Sequence, residues 1–168
     1  TMVNFENLKL VALGNPLLDM QVRDGQDVLQ KYGLKPNDAV LASPEQLSIY
    51  EHLVENYQVT YVAGGAAQNT ARCAQYALPE GSTAYLGCVG NDDLAQQLRA
   101  ANEREGLQSV YQVVNDTPTG SCAVVITGHD RSLCTNLGAA EKFDKSHLDS
   151  QEAKAAIEAA KFFYIGGF

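Results

Sequence analysis

The chain has 168 residues, 45% of them hydrophobic and 19% charged. That suits one ordinary folded domain and excludes a disordered or low-complexity chain. Twelve basic against 20 acidic residues give a net charge of -8, which argues against sequence-independent nucleic-acid binding, because that rests on Lys and Arg neutralising phosphates. The apolar runs fall far short of the ~20 residues a membrane span needs. Residues 1–6 lack the basic start and apolar stretch of a secretory signal, so a soluble, intracellular protein is expected. Cys73, Cys88, Cys122 and Cys134 show no C-x-x-C spacing and read as free thiols. His52, His129 and His147 are scattered and give zinc no support.

In chain order, residues 8–13 form a compact apolar run closed by Gly14-Asn15-Pro16, as expected of a buried strand. Short β-like pieces at Ala39–Leu41 and 58–62 flank a helix opened by the capping box Ser43-Pro44-Glu45-Gln46, with Leu47, Tyr50 and Val54 on one side. Ala67, Ala71, Ala74 and Leu78 mark the inward face of a second helix. A strand at 83–89 ends on glycine. The helix after Asn91-Asp92 turns Leu94, Leu98 and Ala101 inward and stops near Gly106. Thr117-Pro118-Thr119-Gly120 is a turn into a hairpin, whose arms Ser121–Thr127 and 131–137 flank Gly128-His129-Asp130. A last helix, opened by Ser150, precedes residues 161–168, which read as a central strand.

Strands alternating with helices predict a parallel α/β body, assigned to residues 1–16, 64–116 and 141–168. The β pieces at 17–63 and 117–140 predict a small β-rich lid inserted into that body. A central strand followed by no crossover helix suggests the amino-terminal part of a longer protein, or completion by a second chain.

Ligands of open α/β sheets bind beyond the carboxyl ends of the strands, and the predicted body strands all end at glycine. Gly64-Gly65-Ala66-Ala67-Gln68-Asn69 joins a strand to a helix whose free amides can face a ligand. It is neither a G-x-G-x-x-G fingerprint nor a P-loop. Asn69 reads either as a ligand-facing amide or as a local cap. Asp19, between Leu18 and Met20, is either a turn residue or a partly buried acceptor suited to two ribose hydroxyls. Arg131 at the hairpin tip is a phosphate clamp or an ordinary surface arginine.

The run Ala63-Gly64-Gly65-Ala66-Ala67-Gln68-Asn69-Thr70-Ala71, followed by Leu86-Gly87-Cys88-Val89-Gly90-Asn91-Asp92, resembles the amino-terminal signature of the ribokinase-like (PfkB) carbohydrate kinases. Gly14-Asn15-Pro16-Leu17-Leu18-Asp19, Pro118-Thr119-Gly120 and Ile126-Thr127-Gly128-His129-Asp130-Arg131-Ser132-Leu133 resemble the adenosine kinase branch, fungal members above all. The resemblance implies the ribokinase fold, here incomplete, and transfer of the ATP γ-phosphate to the adenosine 5′-hydroxyl with Mg²⁺, in purine salvage. It implies a cytoplasmic location, with the nucleus as a second. By the same resemblance Asp19 would hold the ribose hydroxyls with Asn69 and the Gly64–Gly65 backbone, and Asn15 and Ala66 would lie along the nucleoside. Leu17, Leu41, Cys122, Leu133, Thr135 and Leu137 would wall the base, Phe168 would stack on it, and Arg131 would reach the transferred phosphate.

Alanine stands at positions 39 and 66, where the family often has glutamine and serine. The family's Gly-Ala-Gly-Asp anion hole, its catalytic aspartate and its Asn-x-x-Glu metal motif are left unmatched, so the 168-residue chain is expected to be inactive alone and to work with the carboxyl-terminal half of the same protein. Two other readings stay open: a noncatalytic nucleoside-binding fragment, and a related sugar kinase.

Overall fold

A computed structural model describes residues 5–167. The strands are β1 (Leu10–Leu13), β2 (Leu17–Arg23), β3 (Ala39–Leu41), β4 (Thr60–Gly64), β5 (Thr83–Gly90), β6 (Gln108–Val114), β7 (Ser121–Thr127), β8 (Asp130–Asn136) and β9 (Phe162–Ile165). The helices are α1 (Gln26–Tyr32), α2 (Ile49–Asn56), α3 (Ala66–Ala77), α4 (Asp93–Arg104) and α5 (Gln151–Ala159).

Two sheets divide the strands. One is parallel throughout, in the order β6-β5-β1-β9. All eight residues of β5 are buried, as a strand covered on both faces requires. On one face Ala12, Tyr85 and Val89 pack with Ala67 and Ala71 of α3 and Leu98 of α4. On the other, Val11, Ala84, Leu86 and Val110 pack with Ala153 and Ala156 of α5. The last strand forms over Phe162–Ile165, within the run expected at 161–168. Among the described residues β9 pairs with β1 alone, and all four of its residues are exposed. The pattern also missed β6, because Gln108 and Gln112 interrupt its apolar run.

The second sheet has the order β3-β8-β7-β2-β4 and is mixed: β2–β7 and β3–β8 are parallel, while β7–β8 and β2–β4 are antiparallel. One of its faces carries Val22, Ala123, Val125 and Cys134, which pack on Val28, Leu29 and Tyr32 of α1 and on Ile49 and Leu53 of α2. Gly128-His129 closes the expected hairpin, with Thr127 opposite Asp130.

Two helix faces differ from expectation. In α3 the buried residues are Ala67, Gln68, Ala71 and Gln75, whereas Leu78 is exposed. Leu78 has already left the helix with an extended backbone, and Gln75 is drawn inward because its Oε1 accepts from the Thr83 amide (3.0 Å) and hydroxyl (2.8 Å). The capping box at Ser43 is present, but it opens a single 3-10 turn over Pro44–Gln46. The α-helix starts at Ile49 and buries Ile49 and Leu53, so Leu47 and Val54 face solvent.

Candidate functional site

Register alone assembles one wall of the site. Asp19 lies opposite Cys122, Cys122 opposite Thr135, Thr135 opposite Leu41, and Leu133 opposite Ala39. Residues directly opposite, or two apart on one strand, share a sheet face. Leu17, Asp19, Ala39, Leu41, Cys122, Arg131, Leu133 and Thr135 therefore share the face away from α1 and α2. A slip of one residue in any pairing would send that strand's set into the helices.

This face looks onto the ends of β1 and β9 and the start of α3. Between them lies a cavity of about 330 Å³, within the usual range for small-molecule sites. Its lining is Gly14, Asn15, Leu17, Ala39, Val40, Leu41, Gly65, Ala66, Ala67, Leu133, Thr135, Leu137 and Gly166. Asn15, Leu17, Leu41, Gly65, Ala66, Leu133, Thr135 and Leu137 are thus brought together as the sequence suggested. Gly65 has φ 93°, and a Cβ there would stand 2.2 Å from the Asn15 carbonyl oxygen, so only glycine lets the β4–α3 turn approach this loop so closely.

Asp19 stands inside β2 and is 7% exposed, so it is buried and not a turn residue. Its carboxylate lies against Gly64, where an added Cβ would come within 2.4 Å of Oδ1. Arg131 reaches it from β8, with Nη2 to Oδ2 at 3.9 Å. Burial raises the Asp19 carboxyl above its ordinary value, against the lowering pull of Arg131 and Arg72. A carboxylate that is desolvated and only loosely paired retains acceptor capacity for hydroxyl donors.

The other expected residues fall around this core. Cys122 is buried on this same face, outside the cavity lining, where the Thr135 hydroxyl donates to its Sγ at 3.1 Å, and burial pushes its thiol up to about 12. Asn69 is exposed on the first turn of α3, outside the cavity lining, and its Oδ1 accepts from Arg72 at 3.2 Å. Phe168 lies outside the described residues.

Among the described residues no group of three His, Cys, Asp or Glu side chains could hold a metal ion. The string Asn102-Glu103-Arg104-Glu105 carries the Asn-x-x-Glu spacing, without being the family motif expected to be unmatched. Its side chains have structural partners. Asn102 is buried and donates to Ser109 Oγ (2.9 Å) and Tyr111 Oη (2.8 Å), and Glu105 is bound to Arg72. Among the described residues no helix is long and apolar enough to cross a membrane.

The family profile described as pfkB family carbohydrate kinase matches residues 27–168. The chain belongs to that family. It is 58% identical over 160 residues to the adenosine kinase of Schizophyllum commune, covering 95% of this chain and 46% of that protein. It is 50% identical to that of Saccharomyces cerevisiae, covering 95% of this chain and 47% of that one. The structure of Anopheles gambiae adenosine kinase in complex with P1,P4-di(adenosine-5) tetraphosphate superposes with a TM-score of 0.90 at 44% identity, covering 95% of this chain and 48% of that one. The chain spans about half the length of the curated relatives it matches.

In this pfkB-family chain the sequence reasoning missed Arg72. Its Nε and Nη2 donate to the two Glu105 oxygens at 2.7 and 2.6 Å, while Nη1 donates to the Ala63 carbonyl at 2.7 Å. The available signal was its position three residues after Asn69, on the same helix face. Its partners Ala63 and Glu105 are too distant in sequence to be inferred locally.

Proposed function

We propose that this chain is the nucleoside-binding half of an adenosine kinase, which transfers the ATP γ-phosphate to the adenosine 5′-hydroxyl to give AMP. The observation that carries the reading is the shared sheet face on which a desolvated carboxylate and an arginine adjoin a largely apolar cavity. The ribose hydroxyls donate to Asp19, and the base lies between Leu17, Leu41, Leu133 and Leu137. Asn15 and Ala66 run along the nucleoside, and Phe168 stacks on the base, a contact worth about 1–3 kcal/mol. Arg131 swings from Asp19 toward the transferred phosphate and stabilises its charge.

Mg²⁺ enters with ATP and would neutralise phosphate charge in the complete protein. The catalytic aspartate and the anion hole lie outside these 168 residues, so the chain alone has no kinase activity. Residues 17–63 and 117–140 act as the lid on the α/β body, and the protein works in the cytoplasm.

Apolar walls favour a nucleoside over a bare sugar, and heat stabilisation separates the two. A ligand at 100 times its Kd stabilises by about 2.7 kcal/mol. Adenosine is expected to raise the melting temperature more than guanosine, and ribose to leave it nearly unchanged. Equal stabilisation by ribose and adenosine would overturn the nucleoside assignment.

A further inference from the structure

The nucleoside reading leaves Arg72 without a role, yet its guanidinium is firmly held. Four bonds fix its guanidinium: two to Glu105, just after the last turn of α4, one to the Ala63 carbonyl at the end of β4, and one to Asn69 Oδ1. Only 22% of the Arg72 side chain is exposed. Bidentate pairing with a carboxylate is the geometry in which arginine is not replaceable by lysine.

The bonds to Ala63 and Asn69 bear on the sugar side of the cavity. The bond to Ala63 holds the backbone next to Gly64, the residue against which Asp19 packs. Gly64 is held independently by Gln68, whose Nε2 donates to its carbonyl at 3.0 Å. The bond to Asn69 engages the amide oxygen and leaves the amide NH₂ to donate elsewhere. A ribose hydroxyl both donates and accepts. It can therefore donate to Asp19 while accepting from Asn69, provided that the amide is turned this way.

We propose that Arg72, clamped by Glu105, is a positioning residue for the sugar, orienting the Asn69 amide and holding the β4–α3 turn so that Asp19 and Asn69 meet the same ribose diol. The inference rests on the nucleoside reading and deepens it. Among the described residues three elements present charged or titratable groups to Asp19: Arg131 from β8, Cys122 from β7 and Arg72 from α3. Removing Arg72 changes one of them and leaves the other two.

The test compares Arg72→Gln, Arg72→Lys and Glu105→Gln with the unaltered chain, in two measurements. The first is calorimetric affinity for adenosine, 2′-deoxyadenosine and 3′-deoxyadenosine. Arg72→Gln is expected to weaken adenosine about tenfold, or 1.4 kcal/mol, and to change the deoxynucleosides little, so discrimination between them collapses. Arg72→Lys keeps the charge but cannot serve Glu105, Ala63 and Asn69 together, so discrimination stays low. Glu105→Gln, the mildest change, lowers it partway.

The second measurement follows the Asp19 carboxyl carbon by NMR as pH is varied, without ligand. The midpoint is expected to rise in Arg72→Gln and to return toward the unaltered value in Arg72→Lys. A folded Arg72→Gln chain with unchanged nucleoside discrimination, or with an unmoved Asp19 midpoint, overturns the proposal. If the unaltered chain binds no nucleoside, the functional reading fails, and the ligand-free titration still decides the Arg72 contact. Should Arg72→Gln fail to fold, the Glu105→Gln discrimination ratio decides alone: a ratio equal to that of the unaltered chain overturns the proposal.

Discussion

Replacing Gly64 by alanine tests the site where it is tightest. A Cβ at this position would stand 2.4, 2.6 and 2.8 Å from Oδ1, Cγ and Oδ2 of Asp19, where ordinary contact is 3.4–4 Å. Strand β4 cannot easily withdraw, because Gly64 is paired with Leu17 and its carbonyl is bound by Gln68. The carboxylate must therefore swing by roughly an ångström, off its rotamer and away from the cavity. Overpacking of this kind costs about 1–3 kcal/mol of stability. Hydrogen bonds to a charged group are worth about 1.5–3 kcal/mol each, so losing even one ribose contact weakens adenosine by more than about tenfold. Urea unfolding and calorimetric titration with adenosine measure the two effects. A double-mutant cycle isolates the clash: in an Asp19→Ala background the added methyl meets no carboxylate, and its stability cost should fall to about 0.5 kcal/mol or less. A Gly64→Ala chain with an unchanged unfolding midpoint and adenosine affinity within about twofold of the parent would refute the geometry.

Asp19→Asn should abolish adenosine binding and yet stabilise the chain near neutrality. Burial raises the Asp19 carboxyl, so its contribution to stability is full below the unfolded value of 3.8 and declines as pH rises through the folded value; melting curves should show the Asn variant ahead at about pH 7 and level with the parent at about pH 3. Asp92 behaves with the opposite sign. Burial raises its carboxyl, but hydrogen bonds from the Thr119 hydroxyl and amide and from the Ala95 and Leu94 amides outweigh this and hold it below 3.8. Its contribution is therefore present above that value and lost as pH falls through the folded one. Asp92→Ala removes the α4 cap and both bonds to Thr119 and should cost about 1–2 kcal/mol in urea unfolding, with the difference shrinking in acid. Leu41 is 66% exposed at the cavity mouth, so Leu41→Ser should leave stability within about 0.5 kcal/mol. The same change should weaken adenosine severalfold in a calorimetric titration and leave ribose unaffected.

Much of the body was legible because its signals are local. Apolar runs ending in glycine marked β1 and β5, and Asp92 and Ser150 cap α4 and α5 where their side chains suggested. The hairpin of β7 and β8 followed from its turn. Gln68 and Gln75 were not among the inward residues expected, because helical periodicity weighs apolar positions alone, whereas both are buried and bond backbone or hydroxyl groups of other elements. For β9 the apolar run says that a strand forms, and only pairing says beside which strand it lies.

The amino-acid order by itself determined the α/β class, the glycine-punctuated strand ends and the residue types around the cavity. Tertiary structure decided which face each of those residues occupies. The alternation of a strand fixes which residues share a side but not which side is covered, and that choice came from α1 and α2 packing on Val22, Ala123 and Val125. The Arg72–Glu105 clamp, 33 residues apart in sequence, belongs to the same category. Long-range pairing energies depend on the register of the whole fold, and no window of the chain contains both partners.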